Sequence, residues 1–161
     1  MVKRARCSLR TLFERFGSLG GLGLAAFDSI LAGHTSTPAD DAVKADRDAR
    51  IVFQVSVRAR TCETWSPMWR LVMSNEGTSE LLAERIEKVR ALTRARLELM
   101  YRPELETLEP ASRNAVLIAL EALTDFSIWR RMREYQGLSV EQARAIWIEG
   151  VDRLLPPTPG P

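Results

Sequence analysis

The sequence predicts an all-α protein. Three observations predict it. Apolar residues recur at spacings of three and four along most of the chain; capping residues, glycines and prolines stand at the ends of those periodic stretches; and the β-branched stretch at residues 51–57 finds no partner strand. With 161 residues and 45% hydrophobic composition the chain is ample for a stable interior, which excludes disorder as its global state.

The elements follow in order. A short helix is expected over residues 8–16, where Leu9, Leu12 and Phe16 share a face. Next, Leu22, Leu24, Ala25, Phe27, Ile30 and Leu31 form one side of a helix that fades at Gly33. Gly20, Gly21 and Gly23 weaken its start by up to ~1 kcal/mol each relative to Ala. The segment HTSTPADD is a linker by composition, and a new helix begins near Pro38 to Asp41, with Arg58 and Arg60 near its end where cations suit the macrodipole.

Residues 63–74 read as a further helix, started or interrupted at Pro67 and stopped by Gly77. The clearest periodicity is Leu82, Ile86, Val89, Thr93, Leu97 and Met100, bounded by Pro103. A long helix then opens near Pro110 and reaches Tyr135, apolar on more than one face. Gly137 fits the left-handed position after a helix end, and Ser139 with Gln142 forms a capping box for the last helix. That helix carries the stripe Ala143, Ile146, Trp147, Gly150, Val151 and Leu154. The closing PPTPGP cannot continue it and is expected to be disordered. The organisation expected is thus an N-terminal part over residues 1–33, a helical domain over residues 38–155 and a tail over residues 156–161.

The net charge of +2 decides no partner, but Lys3, Arg4, Arg6, Arg10 and Arg15 against Glu14 alone make the first sixteen residues basic. Such clustering favours a polyanion through counterion release, although a frayed basic terminus reads the same way from charge alone. Cys7 and Cys62 make neither a disulfide framework nor a zinc set, which suits a reducing cytoplasm. The run LGGLGLAAF behind basic residues imitates a secretory signal, but Glu14, Arg15 and Asp28 crowd it. No apolar segment is long enough to span a membrane.

Chemistry-bearing residues are sparse. His34 is the single histidine and sits in the linker; Asp40 with Asp41, and Glu104 with Glu106, read as exposed acids at helix starts. GSLGGLG lacks the GxxxxGK[ST] order of a phosphate loop. No enzyme, cofactor or metal site is expected. The tryptophans with Met68, Met100, Tyr101 and Phe126 suit either a plain core or an apolar pocket, for which Thr93, Arg96, Thr124 and Asp125 are the polar candidates.

Residues 7–26, CSLRTLFERFGSLGGLGLAA, resemble the recognition helix of the TetR-type bacterial transcriptional regulators and the start of the helix after it, through Ser8, Arg10, Thr11, Phe13, Phe16, Gly17 and Ser18. The rear of the chain again resembles that family, from Arg94 to Tyr101 with Pro103, Glu104 and Leu105, and through the run LIALEALTDFSIWRRMREYQGLSVEQARAIWIEGVDRLL. The resemblance implies a helix-turn-helix that meets double-stranded operator DNA through Ser8, Arg10, Thr11, Phe13 and Arg15. It implies a small, lipophilic effector in a pocket drawn from Trp65, Met68, Trp69, Thr93, Arg96, Met100, Thr124 and Phe126. It also implies a homodimer through the last two long helices, with Leu120, Ile128, Trp147, Gly150, Val151 and Leu154 at the interface; from the residues alone an intramolecular core is an even alternative. Two features depart from the family. Leu19 stands where members place a Lys, and only MVKRAR precedes the motif, so the DNA-binding part is expected to be truncated or to begin upstream. The competing expectation is a headless helical module that dimerises and binds an effector without contacting specific DNA.

Overall fold

The computed structural model describes residues 40–73 and 80–160, together with Ala25 and Asp28. Among the described residues all regular structure is helical and there is no strand. The elements are α1 (Asp40–Lys44), α2 (Arg47–Met73), α3 (Glu80–Met100), α4 (Arg102–Leu105), α5 (Pro110–Leu123), α6 (Phe126–Arg130), a π-helical turn (Arg131–Tyr135) and α7 (Val140–Leu154). The chain groups into two compact units that interleave in sequence. One takes Met1–Ser36 and Pro67–Val89, the other Thr37–Ser66 and Arg90–Pro161.

In the second unit, the helix expected from residue 38 onward is divided. Asp46 accepts the Ala49 amide at 2.8 Å, so it caps a fresh helix and separates α2 from α1. Beyond it the two helices expected over residues 38–60 and 63–74 are one, because α2 continues through Pro67. Its buried face is Ile51, Val55, Ala59, Cys62 and Trp65, spaced by three or four residues, and this helical period overrides the β-branched composition of residues 51–57. Arg58, expected near a helix end, lies in the middle of α2 and serves the end of another helix: its Nε donates to the Thr124 carbonyl at 2.9 Å, at the C-terminus of α5.

The long helix expected from Pro110 to Tyr135 is broken at Thr124–Asp125. Asp125 adopts an extended backbone, and its carboxylate accepts the Ser127 amide at 2.8 Å, which starts α6. Thr124 closes α5, its hydroxyl donating to the Leu120 carbonyl at 2.7 Å. The break explains why the apolar residues of this stretch cover more than one face, since two differently directed segments each bury their own.

Gly137 is left-handed at φ 67°, in the role the sequence assigns to it. The Leu138 amide donates to the Met132 carbonyl at 3.1 Å, six residues back rather than the five of an α-helical ending, because the turn before it has π spacing. Ser139 and Gln142 complete the capping box, with Ser139 N–H to Gln142 Oε1 at 2.8 Å and Gln142 N–H to Ser139 Oγ at 3.2 Å.

α7 packs on α5 and on the π-helical turn. Trp147 lies 4.6 Å from Trp129 between ring centroids, tilted by 49°, while Gly150 faces Leu123, so the chain doubles back antiparallel after Gly137. α2 flanks α7 on another side. Arg47 pairs with the Asp152 carboxylate and donates to the carbonyls of Asp152 at 2.8 Å and Leu155 at 3.2 Å, and Arg144 reaches Ser56. The residues after α7 form no helix, but Leu155 is buried and the Thr158 hydroxyl donates to the Glu104 carboxylate.

In the first unit α3 buries Ile86, and Arg85 grips Asp28 through two bonds of 2.7 and 2.8 Å. The Arg85 hydrogen bond holds the Asp28 carboxyl below its usual range, against a smaller opposing effect of burial. No helix among the described residues is long and apolar enough to cross a membrane.

Candidate functional site

The sequence-derived effector residues divide three ways. Trp65, Met100, Thr124 and Phe126 are buried in the core of the second unit. Thr93 and Arg96 are half-buried in the same unit, with Arg96 Nε donating to Gln54 Oε1 at 2.7 Å and burial lowering the guanidinium pKa. Trp69 is half-buried and belongs to the first unit, and the side chain of Met68 lies outside the described part. Thr124 spends its hydroxyl on Leu120 and its carbonyl on Arg58, so its polar groups serve the helix end rather than an open cavity.

The core is polar at its edge. Glu63 Oε1 accepts Trp129 Nε1 at 2.8 Å and Arg133 Nε at 2.9 Å, which ties α2 to α6 and to the π-helical turn. The Arg133 hydrogen bond holds the Glu63 carboxyl below its usual range; burial opposes this and the Trp129 bond adds to it. Cys62, wholly buried beside it, has its thiol pushed up to about 11, chiefly by burial, and is chemically quiet at neutral pH.

A cleft of about 330 Å³ opens elsewhere in the second unit, lined by Ala95, Glu98, Leu99, Arg102, Leu105, Glu106 and Arg113. The end of α3, α4 and the start of α5 supply it. Ala95, Leu99 and Leu105 are its apolar lining, and four charged side chains surround them. Arg113 is positioned by its Nε bond to the Leu105 carbonyl at 3.0 Å. None of the effector residues named from sequence lines this cleft; the signal that could have marked it is the pair of prolines, Pro103 and Pro110, which force the chain to turn there.

Glu104 is a correction to the reading of exposed acids. Its side chain is fully buried, and its carboxylate pairs with the equally buried Arg50. Arg50 also donates to the Ala45 carbonyl at 2.7 Å. The period of three and four running through Leu97, Met100, Tyr101, Glu104 and Leu105 would have placed this acid on the inner face.

Of the residues assigned to pairing, Leu120, Trp147 and Val151 are fully buried within the unit. Gly150 faces Leu123 closely: a Cβ there would lie 2.8 Å from Leu123 Cδ2, so the approach it allows is that of a side chain within the chain. Leu154 is half-buried, and Ile128 is 36% exposed. A different apolar set faces outward. On α5, Ala111, Ala115, Ile118 and Ala122 follow one another at four, three and four residues and are all exposed, Ile118 at 52%; on α7, Ala145 and Ile146 are exposed, Ile146 at 47%. The candidate DNA-contacting residues Ser8, Arg10, Thr11, Phe13 and Arg15 lie outside the described residues, as does His34.

No family model matches the chain, and comparison with curated proteins and with solved structures finds no significant match.

Proposed function

We propose that the chain is a TetR-like transcriptional regulator, an effector-controlled repressor that meets operator DNA as a homodimer and works in the cytoplasm. The observation that carries this reading is the antiparallel arrangement of α5 and α7 about the Gly137 turn, which leaves the apolar stripe of Ala115, Ile118 and Ala122 together with Ile146 uncovered. Two such faces, brought together about a twofold axis, bury each other and carry the basic residues 1–16 into the assembly twice. The motif Ser8-Leu9-Arg10-Thr11 then supplies the contacts to bases and phosphates.

In this reading a lipophilic effector occupies the cleft between α3, α4 and α5, where Ala95 is exposed and Leu99 half-buried, while Trp65, Met100, Thr124 and Phe126 belong to the core. Effector control follows if the bound ligand prefers one spacing of the two basic segments. The headless module is favoured by one feature, Leu19 where a phosphate-gripping Lys is usual.

The test is fluorescence anisotropy with duplex DNA over a series of salt concentrations. The regulator reading expects binding that weakens steeply with salt, and Arg10→Ala should reduce both affinity and the salt slope. Absence of duplex binding at low salt, or binding that ignores Arg10→Ala, assigns the chain to the headless module.

A further inference from the structure

We propose that residues 156–160 form a releasable strap, whose closed position seals a buried polar cluster made by Arg50, Tyr101 and Glu104 and whose release opens that cluster to water and to small polar ligands. The inference is independent of the transcriptional reading.

The strap is held at its root and at one point along its length. At the root Leu155 is buried, and its carbonyl accepts Arg47 Nη2 at 3.2 Å. Beyond it Pro156, Pro157 and Pro159 have no amide hydrogen, and among the described residues no backbone–backbone hydrogen bond reaches residues 156–160. What fastens the segment is a side chain. Thr158 is itself exposed, yet its hydroxyl donates to Oε1 of Glu104, a carboxylate with no exposed surface.

The cluster beneath is incompletely satisfied. Glu104 Oε1 takes Arg50 Nη2 as well as Thr158, but Glu104 Oε2, Arg50 Nε and the Tyr101 hydroxyl are buried without a hydrogen-bond partner. Burial first, and then the charge of Glu104, push the Tyr101 hydroxyl well above its usual pKa, which keeps it a neutral donor within the field of that carboxylate. A buried carboxylate oxygen without a protein partner gains by full hydration, so water favours the open position as the Thr158 bond and the packing around Leu155 favour the closed one. A segment of prolines loses little chain entropy on docking, which lets so few contacts hold it. Opened, the cluster presents a carboxylate oxygen, a phenol and a guanidinium N–H together, a set that recognises a small molecule bearing both a donor and an acceptor.

The experiment is hydrogen–deuterium exchange on the full chain and on Thr158→Val, Thr158→Ser and a chain ending at Leu155. Thr158→Val should accelerate exchange of the α4 amides and of the first turns of α2 by about tenfold, as expected of a local opening, while α5 and α7 stay protected. The shortened chain should match it, and Thr158→Ser, which keeps the hydroxyl, should exchange like the parent. Unchanged protection of α4 in Thr158→Val or in the shortened chain overturns the proposal. So does a loss shared equally by α5 and α7, or a Thr158→Ser variant that behaves like Thr158→Val.

Discussion

At the scale of the residue, two acids show what a sequence conceals. Glu104 reads as a surface carboxylate, yet it is sealed inside against Arg50, while Glu63, itself partly exposed, links three segments. Their partners sit far along the chain: Glu63 meets Trp129 and Arg133, and Glu104 meets Arg50, so local spacing carries only half of the information. Glu63 makes a testable contribution. Its folded pKa is depressed, so the stabilisation is fully present above the ordinary Glu value of about 4.3 and is lost as pH falls through the lower folded value. Because the side chain is 41% exposed, solvent screens the effect and it should be small. Thermal unfolding followed by tryptophan fluorescence between pH 6 and about 3 should show a steeper acid loss in the parent than in Glu63→Gln. Equal slopes in the two would mean that the charge of Glu63 contributes nothing to folding.

At the scale of the element, ends were more legible than continuity. Gly137 and the Ser139–Gln142 box stand where the sequence puts them, because capping is a local matter of backbone amides and short side chains. The Asp125 cap was equally local and was obscured by the apolar run around it, which read as one helix. In the opposite sense, Pro67 signals an interruption that α2 does not make. Packing between elements is the less legible layer. Gly150 reads as an interface residue, and the structure fills its space with the Leu123 side chain, whose Cδ2 and Cδ1 would lie 2.8 and 3.3 Å from an added Cβ. Gly150→Val should therefore destabilise the chain by about 1–3 kcal/mol in urea unfolding, through overpacking against α5. Leu123→Ala in the same chain should recover part of that loss. A Gly150→Val chain as stable as the parent would show instead that the Leu123 side chain swings clear of the added methyl groups.

At the scale of the whole molecule, the all-α class was legible and the grouping of its helices was not. Residues 67–89 belong with the N-terminal residues rather than with the segments on either side of them, so units that interleave cannot be found from composition shifts or linkers. Pairing is the claim on which the regulatory reading stands, because a single copy carries one basic segment and a palindromic operator needs two. The exposed stripe on α5 and α7 is the surface that a second copy would cover, whereas Trp147 and Val151 are already spent inside. The most direct test is sedimentation equilibrium of the parent and of the double variant Ile118→Glu, Ile146→Glu, with circular dichroism to confirm that both are helical. The parent should be a dimer at micromolar concentration, and the two charges should convert it to a helical monomer. A parent that stays monomeric at that concentration, or a dimer indifferent to both charges, would contradict pairing through that stripe.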